Sequence, residues 1–319
     1  MVHTNATLML LVVVLAIVAI GVERCTLVRQ CISNYWTPSI KCVPILSTPM
    51  QYTTILPTRI PVFMYWHSDD LPPTVRLCLQ NWRYFTRKSV HNFEVVLVTH
   101  TNVAELIDAR HPCISEAHEY PAMKSDFIRL ALLQKYGGVY MDASVILTEP
   151  LDWIIGDGTG HNYFQAFVNQ RNMNISCQVP IVETSFLAAP PNHPLISAWL
   201  DELKTLRHCT ADTMRTYVAD IPIQKHLLPL YHLAYHALTK VLLKTPLRDF
   251  PNVFLTQNSN FLNFLSNGNV NVLTEQPIVN HHRMLKLISD ERKQMDSLIN
   301  AREIQLGSFA DKFLISLSG

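Results

Sequence analysis

The run from Pro121 to Asp142, PAMKSDFIRLALLQKYGGVYMD, constrains this chain more than any other segment. Its first sixteen residues read as a helix, and Gly137-Gly138 ends it, because a glycine just past the last turn adopts the left-handed cap without strain. Val139-Tyr140-Met141 is then a short strand with Asp142 at its carboxyl end. Ligands of open α/β sheets bind beyond the carboxyl ends of the strands, so Asp142 stands where chemistry is expected. Asp126 and Arg129 are three apart on the preceding helix and share a face. By themselves they read equally as an ordinary helix ion pair, and Asp142 as a strand-end turn residue.

The segments around this block alternate. Ile60 to Trp66 is an apolar, β-rich run, and Pro72-Pro73 open a helix with Val75, Leu79 and Trp82 at helical spacing. Phe93 to Val98 is a second strand, and Val103 to Ala109 a short helix. The alternation predicts a parallel sheet with helices on both faces. Val182 to Ala189 reads as a further strand, His193 to Leu206 as a helix, and Ile223 to Leu243 as a long helical stretch. Asn252 to Asn271 reads as a polar loop, and Met284 to Gln305 as one amphipathic helix that packs through Leu287, Met295, Leu298 and Ile299. The expected organisation is an apolar segment over 1–22, a stem or linker over 23–58, one α/β domain over 59–305 and a tail over 306–319.

Ala6 to Val22 carries no charge. At ~1.5 Å per residue it makes about 25 Å of helix, just enough for a hydrocarbon core of ~30 Å. It reads as a signal anchor, with a cleaved signal peptide ending near Ala19-Ile20-Gly21 as the alternative and a buried core helix as the third. The first two place the globular part in the secretory pathway, in the Golgi or endoplasmic reticulum lumen. Flanking charges do not choose, since Arg24, Arg29 and Lys41 follow the segment. The acceptor Asn174-Ile175-Ser176 suits a lumen. The seven cysteines form no CxxC pair and leave at least one unpaired within the chain.

Lys and Arg total 26 against 25 Asp and Glu, so no global basic excess points to nucleic acid. An apolar fraction of 48% gives a core of ordinary size. Ser185 lacks a nucleophile-elbow context, which argues against a serine hydrolase. His232 and His236 have no third metal ligand in pattern and read as helix-face histidines.

The block Lys124-Ser125-Asp126-Phe127-Ile128-Arg129, Tyr136-Gly137-Gly138-Val139-Tyr140-Met141-Asp142 resembles the S-D-x-x-R…Y-G-G-x-Y-x-D signature of sugar-transferring enzymes. The closer likeness is to the capsular polysaccharide synthesis family of glycosyltransferases, related to the DXD glycosyltransferases. Ile60 to Trp66, Trp82, the Glu183 to Ala189 run, Pro194 and Trp199 extend the likeness over residues 59 to 245. It implies a GT-A-like fold: a Rossmann-type mixed sheet flanked by helices. It implies a transferase, here carried on the membrane anchor read from Ala6 to Val22, moving a hexose from a nucleotide-sugar donor to a glycan hydroxyl, with retention. Asp126 and Arg129 match positions that hold the donor, and Trp66 is placed to stack on its base. His282 and Lys286, beside His281 and Arg283, are cations able to grip the departing diphosphate.

A diphosphate must be neutralised as it leaves, which a divalent Mn²⁺ or Mg²⁺ on oxygen ligands can do. Asp142 and Ser144 are the candidate ligands. Ser144 stands where the family has its second acid, and a neutral hydroxyl binds metal more weakly. That departure motivates the alternative: a non-catalytic sugar-nucleotide or glycan-binding protein with a degenerate motif.

Overall fold

The structure is a computed structural model that describes residues 58–108, 121–156, 162–168, 179–219, 221, 230–257, 262–264, 270–275 and 283–318. The apolar segment, the stem up to residue 57, Asn174, His281 and His282 lie outside these residues. Among the described residues no helix is long and apolar enough to cross a membrane.

The first unit is β1 (Ile60–Tyr65), α1 (Pro73–Lys88) and β2 (Phe93–Val98). Proline opens α1 because the first helical N–H has no intrahelical acceptor to lose. Val75, Cys78, Leu79, Trp82 and Phe85 recur at helical spacing and are all buried. β1 pairs in parallel with β2, from Ile60↔Phe93 to Tyr65↔Val98. The short α2 (Val103–Leu106) leads towards α3 (Pro121–Tyr136), which is followed by β3 (Gly138–Asp142) and β4 (Val145–Leu147). Then come β5 (Phe164–Val168), β6 (Val182–Ala189), α4 (Pro194–Lys204), α5 (Ala211–Val218) and α6 (Leu233–Lys244). The chain goes on through β7 (Val253–Gln257), β8 (Leu262–Phe264), α7 (Asn271–Glu275), β9 (Met284–Lys286) and α8 (Ser289–Ala301).

The main sheet has six strands in the order β2-β1-β3-β6-β5-β7. It is mostly parallel, and β6 runs against both its neighbours. The alternation of strand and helix predicts the parallel pairs, and the mixed sheet that the family resemblance implies is the one present. Parallel neighbours need a crossover helix, and the polar run between β5 and β6 carries no helical period. A smaller sheet has the order β4-β9-β8.

Side chains alternate across the main sheet into two cores. Phe63 and Tyr65 join α3, α4 and α6 through Phe127, Trp199 and Leu238. Val62 and Met64 join α1, the small sheet and the C-terminal residues through Trp82, Leu147, Met295 and Leu314. The α3 helix is buried from Asp126 to Leu133 without a polar face, because helices and sheet enclose it. Trp82 and Trp199 have their indole N–H groups satisfied by the Val145 and Ala234 carbonyls, at 2.7 and 2.8 Å.

Two later expectations are corrected. Met284 to Gln305 is not one helix: Met284 and Leu285 are 0% and 3% exposed and pair with β4, so sheet burial overrides the helical period there. The helix begins at Ser289, where Glu291 accepts from the Ile288 N–H at 2.8 Å. Asn252 to Asn271 holds two strands, since Val253 and Leu255 are buried and β7 extends the main sheet beside β5. Within the tail over 306–319, Phe309, Ala310 and Leu314 are buried, and the Phe313 carbonyl accepts from Asn81 Nδ2 at 2.8 Å. Leu287, Met295, Leu298 and Ile299 do pack against the second core, as expected.

Candidate functional site

The two glycines after α3 set the geometry. Both have positive φ, +64° at Gly137 and +90° at Gly138. A Cβ on Gly138 would stand 2.3 Å from the Pro61 carbonyl oxygen, so only glycine lets β3 start this close to β1. The resulting register aligns Tyr65 with Asp142, the last residues of their strands. Since α3 runs back over β3, its first turns stand above the same edge. The reversed direction of β6 brings its early residues, Glu183 and Thr184, to that edge too. Strand ends, helix start and β6 thus converge on one cleft of about 590 Å³. That is within the ~300–1,000 Å³ range of small-molecule sites.

An ionic lattice forms its floor. The Arg129 guanidinium lies 3.1 Å from Asp126 Oδ1 and 3.4 Å from Asp142 Oδ1. It also donates to the Ser125 carbonyl at 3.2 Å, to Ser125 Oγ at 2.8 Å and to the Thr184 carbonyl. It stacks on the Tyr140 ring, 4.8 Å from the centroid. Arg129 is only 4% exposed. It lines the cleft and at the same time ties α3, β3 and β6 together. Its direct acids are what the cleft presents.

Those two acids differ. Burial pushes the Asp126 carboxyl up to about 6, with Arg129 pulling against it. Burial would also raise Asp142, but Lys286 and then Arg129 overcome it and hold that carboxyl below its usual range. Lys286 Nζ donates to Asp142 Oδ2 at 2.6 Å. The two residues meet because β4, just after Asp142, pairs with β9 through Val145↔Lys286. The turn between is pinned as well: Leu287 N donates to the Ser144 carbonyl at 3.1 Å, and Ser144 Oγ donates to the Leu287 carbonyl at 2.6 Å.

These groups do not fit a divalent metal. Both Asp142 oxygens already face cations, one on Lys286 and one on Arg129. The Ser144 hydroxyl is turned to the Leu287 carbonyl, and Asp126 is paired with Arg129. Among the described residues no group of three His, Cys, Asp or Glu is placed to hold a metal ion.

Trp66 lines the cleft just past β1, with the Arg292 guanidinium over its ring at 5.0 Å. His282 lies outside the described residues. Arg283, grouped with Lys286 in the sequence, is set apart: it pairs with Glu149 at 3.1 Å and covers Trp153 beside a separate cavity. His236 is buried in α6, but His232 precedes that helix and lines the cleft. Sequence reasoning passed over Glu183, Tyr235, His232 and Arg292 as cleft residues. Tyr235 donates to Glu183 Oε2 at 3.2 Å. The strand β6 was legible, but no local spacing links Glu183 to a tyrosine in α6.

The molecule is thus a mixed α/β protein with a ligand cleft at the carboxyl ends of its parallel strands. Its family follows from sequence: the model of the capsular polysaccharide synthesis proteins matches residues 26–293, and the chain belongs to that family. A curated relative, the O-glycosyltransferase braB of Annulohypoxylon truncatum, is 27% identical over 193 residues, 53% of this chain. The match takes in 45% of that relative, so the chain spans about half the length of the curated protein it resembles. A solved glycosyltransferase involved in glycosylating the major capsid of PBCV-1 is 9% identical, covering 75% of this chain and 99% of its own, with a TM-score of 0.39. The bifunctional glycosyltransferase WbbM is 10% identical over 75% of this chain and 47% of its own, with a TM-score of 0.41.

Proposed function

We propose that this protein is a glycosyltransferase of GT-A type that moves a hexose from a nucleotide sugar to a glycan hydroxyl. The observation that carries it is the lattice of Asp126, Arg129, Asp142 and Lys286 under the cleft. A carboxylate accepts hydroxyls of a sugar, and a fixed cation receives a phosphate. The donor sugar lies against Asp126 and Asp142, the base against Trp66, and the acceptor enters past Glu183 and Tyr235. Retention of the anomeric configuration belongs to the same proposal and rests on the Ser125-Asp126…Arg129 block. Family membership and the relative named as an O-glycosyltransferase support the reaction class.

The apolar run Ala6 to Val22 and the acceptor Asn174 support a second part of the proposal, a luminal domain on a membrane anchor. Protease added outside sealed microsomes should leave residues 23–319 intact; digestion of the globular domain would sink that topology.

The reaction is tested by incubating the full chain with a panel of nucleotide sugars and measuring nucleoside diphosphate release. One donor should be consumed, and NMR of the product should show the donor's own anomeric configuration. A folded protein that binds a sugar nucleotide yet releases nothing would leave a binding protein in place of an enzyme.

The ties of Arg129 set a further expectation. Arg129→Ala leaves Asp126 and the Thr184 carbonyl without this donor in a buried place, and Asp142 with Lys286 alone. Loss of one partner of a buried pair costs roughly 3–5 kcal/mol. The variant should therefore lose both thermal stability and donor binding, as read by calorimetry. Donor loss at unchanged melting temperature would return Arg129 to a purely ligand-facing role.

A further inference from the structure

We propose that charge on the departing nucleoside diphosphate is neutralised by Lys286, with no divalent cation at Asp142. The inference rests on the glycosyltransferase reading above. Asp142 is the one acid at the strand end, and its Oδ2 is 2.6 Å from Lys286 Nζ. Arg129 stands 3.4 Å from the other oxygen. With Asp126, the lattice holds two acids and two fixed cations, so it is balanced before any ligand arrives. A divalent ion at Asp142 would stand against both cations at close range. Like charges at such a separation repel strongly even at the effective dielectric of a protein surface.

Lys286 is placed for the task by covalent and hydrogen-bonded structure. The Val145↔Lys286 pairing fixes its backbone beside the turn that follows Asp142. Leu287, next in the chain, exchanges two hydrogen bonds with Ser144. The side chain is 19% exposed, so the ammonium is at the cleft and not sealed below it. An ammonium is a compact point charge with three donors, able to keep Asp142 while meeting a phosphate oxygen. Ser144, where the related motif has an acid, is then no defect. A second carboxylate at that turn would compete for Lys286 and leave the diphosphate facing a net negative wall.

The step balances without a metal. The bond between the anomeric carbon and the β-phosphate oxygen breaks, and its electron pair goes to that oxygen, which Lys286 meets. The acceptor hydroxyl oxygen bonds to the anomeric carbon, and its proton passes to the released phosphate. Lys286 is thus a catalytic residue, and Asp142 positions it.

The test measures binding of uridine and guanosine diphosphate to the full chain by titration calorimetry. Each is run in excess chelator and again with Mn²⁺. One diphosphate should bind equally in both, and Lys286→Met should weaken it 10- to 100-fold while Lys286→Arg restores most of the affinity. Folding of each variant is checked by its melting curve. Donor turnover should likewise survive chelator. Binding that needs Mn²⁺, or that is unchanged in a folded Lys286→Met, overturns the inference alone. If neither diphosphate binds under any condition, the transferase reading falls and this inference with it.

Discussion

Asp126 sits in the cleft floor at 7% exposure, with its carboxyl raised by burial to about 6. A native carboxyl titrating above its unfolded value favours the protonated form. Its contribution to stability is full below about pH 4 and is lost as the pH rises through about 6. Under the proposed function donor binding should run the other way, because only the carboxylate accepts two sugar hydroxyls. Affinity for the donor should therefore fall as the pH drops below about 6. Asp126→Asn should abolish that acid limb and weaken binding about tenfold at pH 7.5, as followed by calorimetry. A limb that persists in the variant would place the titrating group elsewhere. Asp142 behaves differently: with Lys286 and Arg129 beside it, the carboxyl stays ionised through this range. The two acids were visible in the sequence, but their difference was not. It arises from Lys286, which no local pattern places beside Asp142.

At the scale of elements, two glycines and a histidine decide how helices meet strands. Gly138→Ala would put a methyl against the Pro61 carbonyl at a φ of +90°. The strain alone is on the order of 1–3 kcal/mol, and β1 must also shift. A lower denaturation midpoint and weaker donor binding should appear together, since the β1–β3 register aligns the site. His193 caps α4: its Nδ1 accepts from Leu195 N at 3.2 Å, and Nε2 donates to the Pro251 carbonyl at 2.9 Å. Burial lowers its pKa to about 4, so the neutral ring belongs to the fold. The stability it adds is present above about pH 6.5 and is lost as the pH falls through about 4. Urea unfolding at pH 7 and pH 5 should show the wild type losing roughly 1–2 kcal/mol that His193→Asn does not lose. Elements with a strong local signal were legible. β2 spans Phe93–Val98 and α3 spans Pro121–Tyr136, matching their apolar period and end signals. β7 and β9 were not, because their pairing partners, β5 and β4, are far along the chain and short strands carry little period of their own.

At the scale of the molecule, the C-terminal residues close the second core. Asn81, fully buried in α1, holds Leu147 through both its amide groups, at 2.9 and 2.8 Å. It also reaches the Phe313 carbonyl. Ending the chain after Leu306 removes the buried Phe309 and Leu314 and opens that core. Each large apolar side chain is worth roughly 1.5–3 kcal/mol of burial, against a total of ~5–15 kcal/mol for a domain. The shortened protein should therefore melt at least 10 °C lower or be recovered as aggregate; an unchanged melting curve would contradict this. The pairing of Val145 with Lys286 has a consequence in time. Asp142 and Lys286 are 144 residues apart. At a synthesis rate of ~5–20 residues per second, Asp142 waits roughly 7–30 seconds for its ammonium partner. During that interval the emerging chain holds Asp126, Arg129 and Asp142 as an unbalanced trio. Under the proposed function a nucleotide would meet a complete seat only once β9 has paired with β4.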